Sequence, residues 1–503
     1  MEKLAVIHLG STKINLTLSY LNQEGNYVVF QDMSEPVKIV DDFDGEGLLR
    51  MARSSEALVV LKMFRMMCEV NKVTNIYAVG SHSLKTLKNY RSFLDEIYNI
   101  TGFKFRILEE EEELSNLYCG VINTLDIPKG VIVNVSGGST RIVQYNRRNI
   151  VNQVVIPFGS YEVAKSLEGA TSVAEGCDLM VKKFADSVRE IDWLRDIDPE
   201  FSFVGVGNAF LNAGKLSRKL RKYPVDIAHN YSMTNAQFDD IFKLIKTLDI
   251  DKTKKVKGIS SERADVFAAG ICMTKAIFDV CKFEQVTVSE RGMNMGFLLG
   301  NVMPGIIEKP LSDLLGYSLE NIRTFHDGEF SNSKQVNDLS LILFRQLKVL
   351  HKLPRGYIKI LRIASAMHDC GQRIKFYEHE KNSFHIILNS ELFGVTHREI
   401  VMASFVSACQ NLSDFDLAEW IKYKDILTDE DLDAMRKLAL IVRLAEALDK
   451  SHRNVVQDVS CDILGDSVIM KTIVTMDASI EIRETAKVGQ DFRKVYKKTL
   501  EVL

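Results

Sequence analysis

One pattern occurs twice in this chain and constrains it more than any other: a β-rich run, a tight turn carrying Gly-Ser-Thr, and a second β-rich run. Leu4-Ala5-Val6-Ile7 leads into Gly10-Ser11-Thr12 and resumes at Ile14-Asn15-Leu16-Thr17-Leu18. Gly130 to Val135 leads through Ser136-Gly137-Gly138-Ser139-Thr140 into Arg141-Ile142-Val143-Gln144-Tyr145. Two strand-like runs around a glycine turn predict a hairpin. Glycine lets the backbone come close to a ligand, so such a turn can offer N–H groups and a hydroxyl to an anion. The recurrence hints at an internal duplication. With a third glycine junction, Gly205-Val206-Gly207, the two turns point to a phosphate pocket between two lobes. No G-x-x-x-x-G-K-[ST] loop is present, which argues against a P-loop NTPase.

Around the turns, strands and helices alternate as in an α/β lobe. Helical spacing covers Ser55–Asn71 and Tyr90–Asn99, with strands at Asn75–Val79 and Phe103–Leu108. The second lobe continues with a helix over Val173–Asp192 and strands at Phe201–Val206 and Glu284–Ser289. From about Pro310 the pattern turns helical, over Val336–Leu350, Arg355–Met367, His397–Ala408 and Asp431–Leu448. The tail alternates again at Ser467–Met470 and Ala478–Ile482, which predicts strands, and ends in a charged helix. The expected division is therefore 1–125 and 126–305 for two lobes, 306–455 for a helical domain and 456–503 for a small α+β cap.

A chain of 503 residues exceeds a single core, and 46% hydrophobic with 26% charged residues is an ordinary globular composition. A net charge of −3 gives no global field for DNA or RNA, so any polyanion has to be held locally. The eight cysteines form no C-x-x-C pair, which argues against a zinc cage or a disulfide framework and for reduced thiols in the cytoplasm. No apolar run reaches the length of a membrane span, so no membrane partner is expected.

Five segments, in order, resemble the Ppx/GppA family, the exopolyphosphatases and guanosine pentaphosphate phosphatases. They are EEEEELSNLYCGV from Glu109, VNVSGGSTRI from Val133, Pro157-Phe158-Gly159-Ser160, Gly205-Val206-Gly207 and SERADV from Ser261. The resemblance implies two actin-like (sugar-kinase-like, ribonuclease H-like) α/β lobes facing a cleft. It also implies Mg²⁺-dependent removal of the terminal phosphate from polyphosphate or pppGpp. Carried over by position, Glu113 is the water-activating base, and Gly10, Ser11, Gly137, Gly138, Ser139, Thr140, Arg141, Gly207 and Arg263 hold phosphate.

Departures from the family pattern fall at its carboxylates. His8, Asn134 and Arg141 stand where the family has Asp, Asp and Glu, and Lys85 lies near a missing arginine. Mg²⁺ prefers oxygen anions, and these replacements leave the cleft about four charges more positive. Anion binding is expected to survive and metal-dependent hydrolysis to weaken.

Further on, MHDCG at Met367–Gly371 and RLAEALDKS at Arg443–Ser451 resemble an HD-type helical domain. By that resemblance His368, Asp369 and Asp449 occupy metal-type positions, as Asn134 does in the second glycine turn by the Ppx/GppA resemblance. Asn332 stands where an earlier histidine is expected, so a structural role for the trio is favoured. Three readings stay open: an exopolyphosphatase-like hydrolase with an eroded site, a non-catalytic polyphosphate or alarmone sensor, and an HD-type nucleotide hydrolase. A homodimer is expected in each.

Overall fold

A computed structural model describes residues 1–42, 47–165, 170, 172–248, 252, 264–325, 333–409 and 417–503. They form two compact units, Met1–Leu314 and Leu315–Leu503.

The first unit contains two sheets built to one plan. In the first, β1 (Glu2–Leu9) pairs antiparallel with β2 (Lys13–Leu21), which pairs antiparallel with β3 (Tyr27–Pro36). On its other side β1 runs parallel to β4 (Asn75–Gly80), and β4 to β5 (Arg106–Ile107). In the second, β6 (Lys129–Val135) pairs antiparallel with β7 (Thr140–Asn146), and β7 with β8 (Asn149–Ile156). β6 then runs parallel to β9 (Ser202–Val206), and β9 to β11 (Gln285–Ser289), with β10 (Tyr231–Thr234) antiparallel at the edge. The orders β3-β2-β1-β4-β5 and β8-β7-β6-β9-β11-β10 repeat the same hairpin and crossover, the structural form of the duplicated turn.

β1 explains why its sheet holds. Leu4, Ala5, Val6, Ile7 and Leu9 are all buried, as expected of a central strand covered on both faces. The strand expected at Phe103–Leu108 shrinks to Arg106–Ile107, because only that stretch pairs with β4.

Between the sheets, the helices Glu110–Ile122 and Met293–Val302 pack at backbone distance. A Cβ on Gly296 would stand 1.8 Å from the carbonyl oxygen of Asn116, and one on Gly120 would stand 2.1 Å from that of Gly292. Only glycine fits at such a crossing.

The second unit is mainly helical, with helices at Ser333–Gln346, Ile358–Ala366, His397–Ala408 and Asp429–Ala447. A sheet of β12 (Val456–Leu464), β13 (Ser467–Val474) and β14 (Thr499–Val502) follows. Two expectations for the tail are corrected here. Residues 478–482 lie at the start of a helix, Ser479–Lys487, and the chain finishes in the strand β14. Buried positions Ala478, Glu481, Thr485 and Val488 recur at helical spacing, and the Asp477 carboxylate accepts the Ser479 backbone N–H at 3.1 Å.

Candidate functional site

The two glycine turns meet. Turn one closes through the Gly10 N–H donating to the Lys13 carbonyl at 3.0 Å, and Ser11 is buried. Turn two closes through Ser136, whose N–H and hydroxyl both donate to the Ser139 carbonyl, at 3.0 and 2.8 Å. A Cβ on Gly137 would lie 2.3 Å from the Thr12 methyl carbon, so the Thr12 side chain rests on Gly137 itself. Behind turn two, Ser160 and Tyr161 donate their N–H groups to the carbonyls of Ser136 and Gly137, at 2.9 and 3.0 Å. Gly159 makes this possible: a Cβ there would sit 1.9 Å from the Gly137 oxygen.

Gly207 has φ of 94° and precedes the helix Asn208–Leu220. A Cβ there would lie 3.7 Å from Asn134 Nδ2, which puts the third glycine junction beside the Asn134 side-chain amide. Thr140 is fully buried, and its hydroxyl donates to the Phe158 carbonyl at 2.9 Å rather than pointing at a ligand. Arg263 lies outside the described residues.

The centre of the site is Glu113, on the helix Glu110–Ile122 and 1% exposed. Its Oε1 accepts the backbone N–H of His82 at 3.0 Å. Its Oε2 accepts Arg141 Nε at 3.0 Å and Nη2 at 2.5 Å. Arg141 Nη1 reaches Ser136 Oγ at 3.3 Å. The guanidinium expected to greet phosphate is therefore engaged by the carboxylate expected to activate water, and its positive charge is neutralised inside the protein.

His8 contributes no charge either. Its Nε2 lies 3.0 Å from Ser81 Oγ, and burial lowers its pKa to about 4, outweighing the attraction of Glu113, so the imidazole is neutral at physiological pH. Lys85 is already paired. Its ammonium sits 2.7 Å from each carboxylate oxygen of Glu109, whose pKa falls chiefly through that hydrogen bond.

In the helical unit, His368 Nδ1 lies 2.9 Å from the Ser365 carbonyl and 3.9 Å from Asp369 Oδ1. Asp449, also 1% exposed, accepts the Asn454 N–H at 3.1 Å through Oδ1, while its Oδ2 is buried without a hydrogen-bond partner. Burial is the main cause that raises the Asp449 pKa, with the nearby Glu481 carboxylate adding to it. Among the described residues no group of three or more His, Cys, Asp or Glu side chains is arranged to hold a metal. Asn332 lies outside the described residues.

A model of the Ppx/GppA phosphatase family matches residues 22–303, and a model of Ppx/GppA phosphatase, domain III, matches residues 317–479. The chain belongs to the Ppx/GppA phosphatase family. A guanosine-5'-triphosphate,3'-diphosphate pyrophosphatase of Aeromonas hydrophila is 23% identical over 407 residues, 78% of this chain and 77% of the relative. A bifunctional 3-dehydroquinate synthase/phosphatase of Fusobacterium nucleatum is 21% identical, over 59% of this chain and 46% of its own length. Among solved structures, an exopolyphosphatase from Cytophaga hutchinsonii superposes with a TM-score of 0.55 at 15% identity, covering 60% of this chain and 98% of its own. The Aquifex aeolicus Ppx/GppA family member gives 0.52 at 21% identity, with the same coverage. These matches show the actin-like two-lobe α/β fold.

Within a Ppx/GppA phosphatase frame, several groups that shape the site escape a motif reading. The His82 N–H and Ser136 Oγ hold the Glu113–Arg141 pair, and Ser81 holds His8. Ser81 and His82 lie in the segment Gly80-Ser81-His82-Ser83-Leu84-Lys85, where side-chain substitutions draw the eye. The decisive contact of His82 is made by its backbone, which no side-chain motif records.

Proposed function

We propose that this Ppx/GppA protein is an exopolyphosphatase-like phosphohydrolase acting on the terminal phosphate of polyphosphate or pppGpp, with anion binding retained and hydrolysis weak or absent. The observation that carries the reading is the buried Glu113–Arg141 pair. A general base needs a free lone pair within reach of the attacking water. Protein donors take three of the about four acceptor sites of the Glu113 carboxylate, two of them from a guanidinium that opposes its protonation.

Mg²⁺ is the cofactor the resemblance implies, and the donors fit it poorly. The family's carboxylate positions hold a neutral imidazole at His8, an amide at Asn134 and a guanidinium at Arg141. Hard cations of this kind require several oxygen ligands, which these three side chains do not supply together. What this chain supplies is a pair of apposed glycine turns, with Gly10, Ser11, Gly137, Gly138, Ser139 and Gly207 as the backbone cradle. Arg263 would complete it.

The names of the Aeromonas and Cytophaga relatives support phosphate-anhydride substrates. A second reading, a non-catalytic polyphosphate- or alarmone-binding regulator, is favoured by the same buried pair. Phosphate release from long-chain polyphosphate and from pppGpp, with and without Mg²⁺, separates them. Turnover abolished by Glu113→Gln supports the hydrolase; tight binding with no turnover supports the regulator. The second unit is proposed as an HD-like helical domain with a small cap after about residue 455, and the protein as a cytoplasmic homodimer. Among the described residues no helix is long and apolar enough to cross a membrane.

A further inference from the structure

Glu113 is held from two sides. Its Oε1 takes the backbone N–H of His82, just beyond the β4 strand of the first sheet. Its Oε2 takes two donors of Arg141, on β7 of the second sheet. The third guanidinium nitrogen already points to Ser136 Oγ, at the head of the second glycine turn.

Carboxylate and phosphoryl oxygens are rival ligands for a guanidinium, since each accepts two parallel N–H bonds. We propose that Glu113 is a built-in competitor for the terminal phosphoryl group of a polyphosphate or nucleoside polyphosphate, and that Arg141 is the receptor it withholds. The inference rests on the phosphate-site reading above and adds what receives the anion and what restrains that receptor.

Exchange is favoured by the local geometry. Arg141 bridges Glu113 and the turn, so transfer to an anion seated on the turn needs the guanidinium to reorient without crossing the site. Glu113 keeps the His82 N–H when Arg141 leaves. Withdrawing one partner of a buried pair leaves the other charge uncompensated, so the parallel N–H bonds that the phosphoryl group takes from Arg141 have to offset that loss. An arriving phosphoryl group would then both engage Arg141 and uncover the Glu113 carboxylate, linking exposure of that group to occupancy.

The test is isothermal titration of the full chain with inorganic tripolyphosphate at fixed ionic strength, with sulfate as the control anion. Glu113→Gln leaves one acceptor oxygen facing two sets of donors, so it loosens Arg141. It is expected to bind tripolyphosphate about tenfold tighter or more. The double variant Glu113→Gln/Arg141→Met removes both charges and leaves no uncompensated ion. It is expected to bind about tenfold more weakly than wild type.

A Glu113→Gln protein that melts like wild type but binds no tighter overturns the proposal. So does a double variant that binds as well as wild type, a result that needs only the double variant to fold. If wild type binds and the variants meet neither expectation, the phosphate-site reading stands and the competitor role is lost. If neither wild type nor variants bind tripolyphosphate or pppGpp, both fall together.

Discussion

Two buried polar clusters in this protein have met the same problem in opposite ways. Around Glu113 the buried charge is answered within the protein, by Arg141 and the His82 N–H. Around Asp449 it is not: Asp449 Oδ2 and Asp369 Oδ1 are buried without hydrogen-bond partners, and the Asp449 pKa is raised. The first yields a self-satisfied ion pair, the second a carboxylate under desolvation strain.

The largest expected effect attacks the first cluster. Arg141→Ala leaves Glu113 buried and unpaired, and breaking such a pair costs about 3–5 kcal/mol. Chemical denaturation of the variant should show that loss, and the double variant Glu113→Gln/Arg141→Met should recover most of it. A loss under about 1 kcal/mol would mean that Glu113 finds another partner, and the contrast between the clusters would dissolve.

The second prediction follows from His8. Its folded pKa, about 4, lies below the ordinary 6.5, so the unfolded chain takes up the proton first as pH falls. The contribution to stability is full above pH 6.5, declines from there towards pH 4, and is constant below. The span corresponds to an upper bound of about 3 kcal/mol. His8→Gln should flatten that part of the pH–stability curve. An unchanged slope in the variant would assign the acid sensitivity to other groups.

How far could these clusters be read from the residues alone? The glycine turns and the hairpins around them were legible because glycine and β-branched alternation are local signals. That His8, Asn134 and Arg141 flank the turns was legible as well. That Arg141 would neutralise Glu113 was not, since the two residues lie 28 positions apart and meet only when the helix Glu110–Ile122 packs beside β7. Thr140 is a narrower case: its hydroxyl donates to the Phe158 carbonyl, 18 positions on, a contact that the motif does not record. The helix Ser479–Lys487 escapes for a different reason: its two buried positions are Glu481 and Thr485, so a hydrophobic pattern sees only Ile480 and Ile482 and reads alternation.

A third, smaller effect tests what the HD-like motif is doing in the second cluster. A Cβ on Gly371 would stand 2.0 Å from the His379 carbonyl oxygen and 2.6 Å from the Ser383 nitrogen. The Ser383 hydroxyl also ties this crossing, accepting the Gly371 N–H at 2.9 Å and donating to the His368 carbonyl at 3.1 Å. Gly371→Ala should therefore cost about 1–3 kcal/mol by overpacking. Its thermal unfolding should be the same with and without added divalent cation. A destabilisation that cation reverses would instead place the glycine at a metal site.

The smallest expected effect is the sharpest on the comparison. Asp449→Asn keeps the Oδ1 acceptor for Asn454 and removes a charge that burial and Glu481 both disfavour. With the folded pKa raised above the ordinary value, the carboxyl is least costly when protonated. Its penalty grows as pH rises through the aspartate range and is complete above the raised value. Near neutral pH the substitution should thus be neutral or stabilising by up to about 1 kcal/mol, and its benefit should vanish at acid pH. The reverse result, a loss of stability that a chelator produces equally in wild type, would mean that Asp449 holds a counter-cation. The second cluster would then have its charge answered too, by a cation, and the contrast with Glu113 would reduce to the kind of partner.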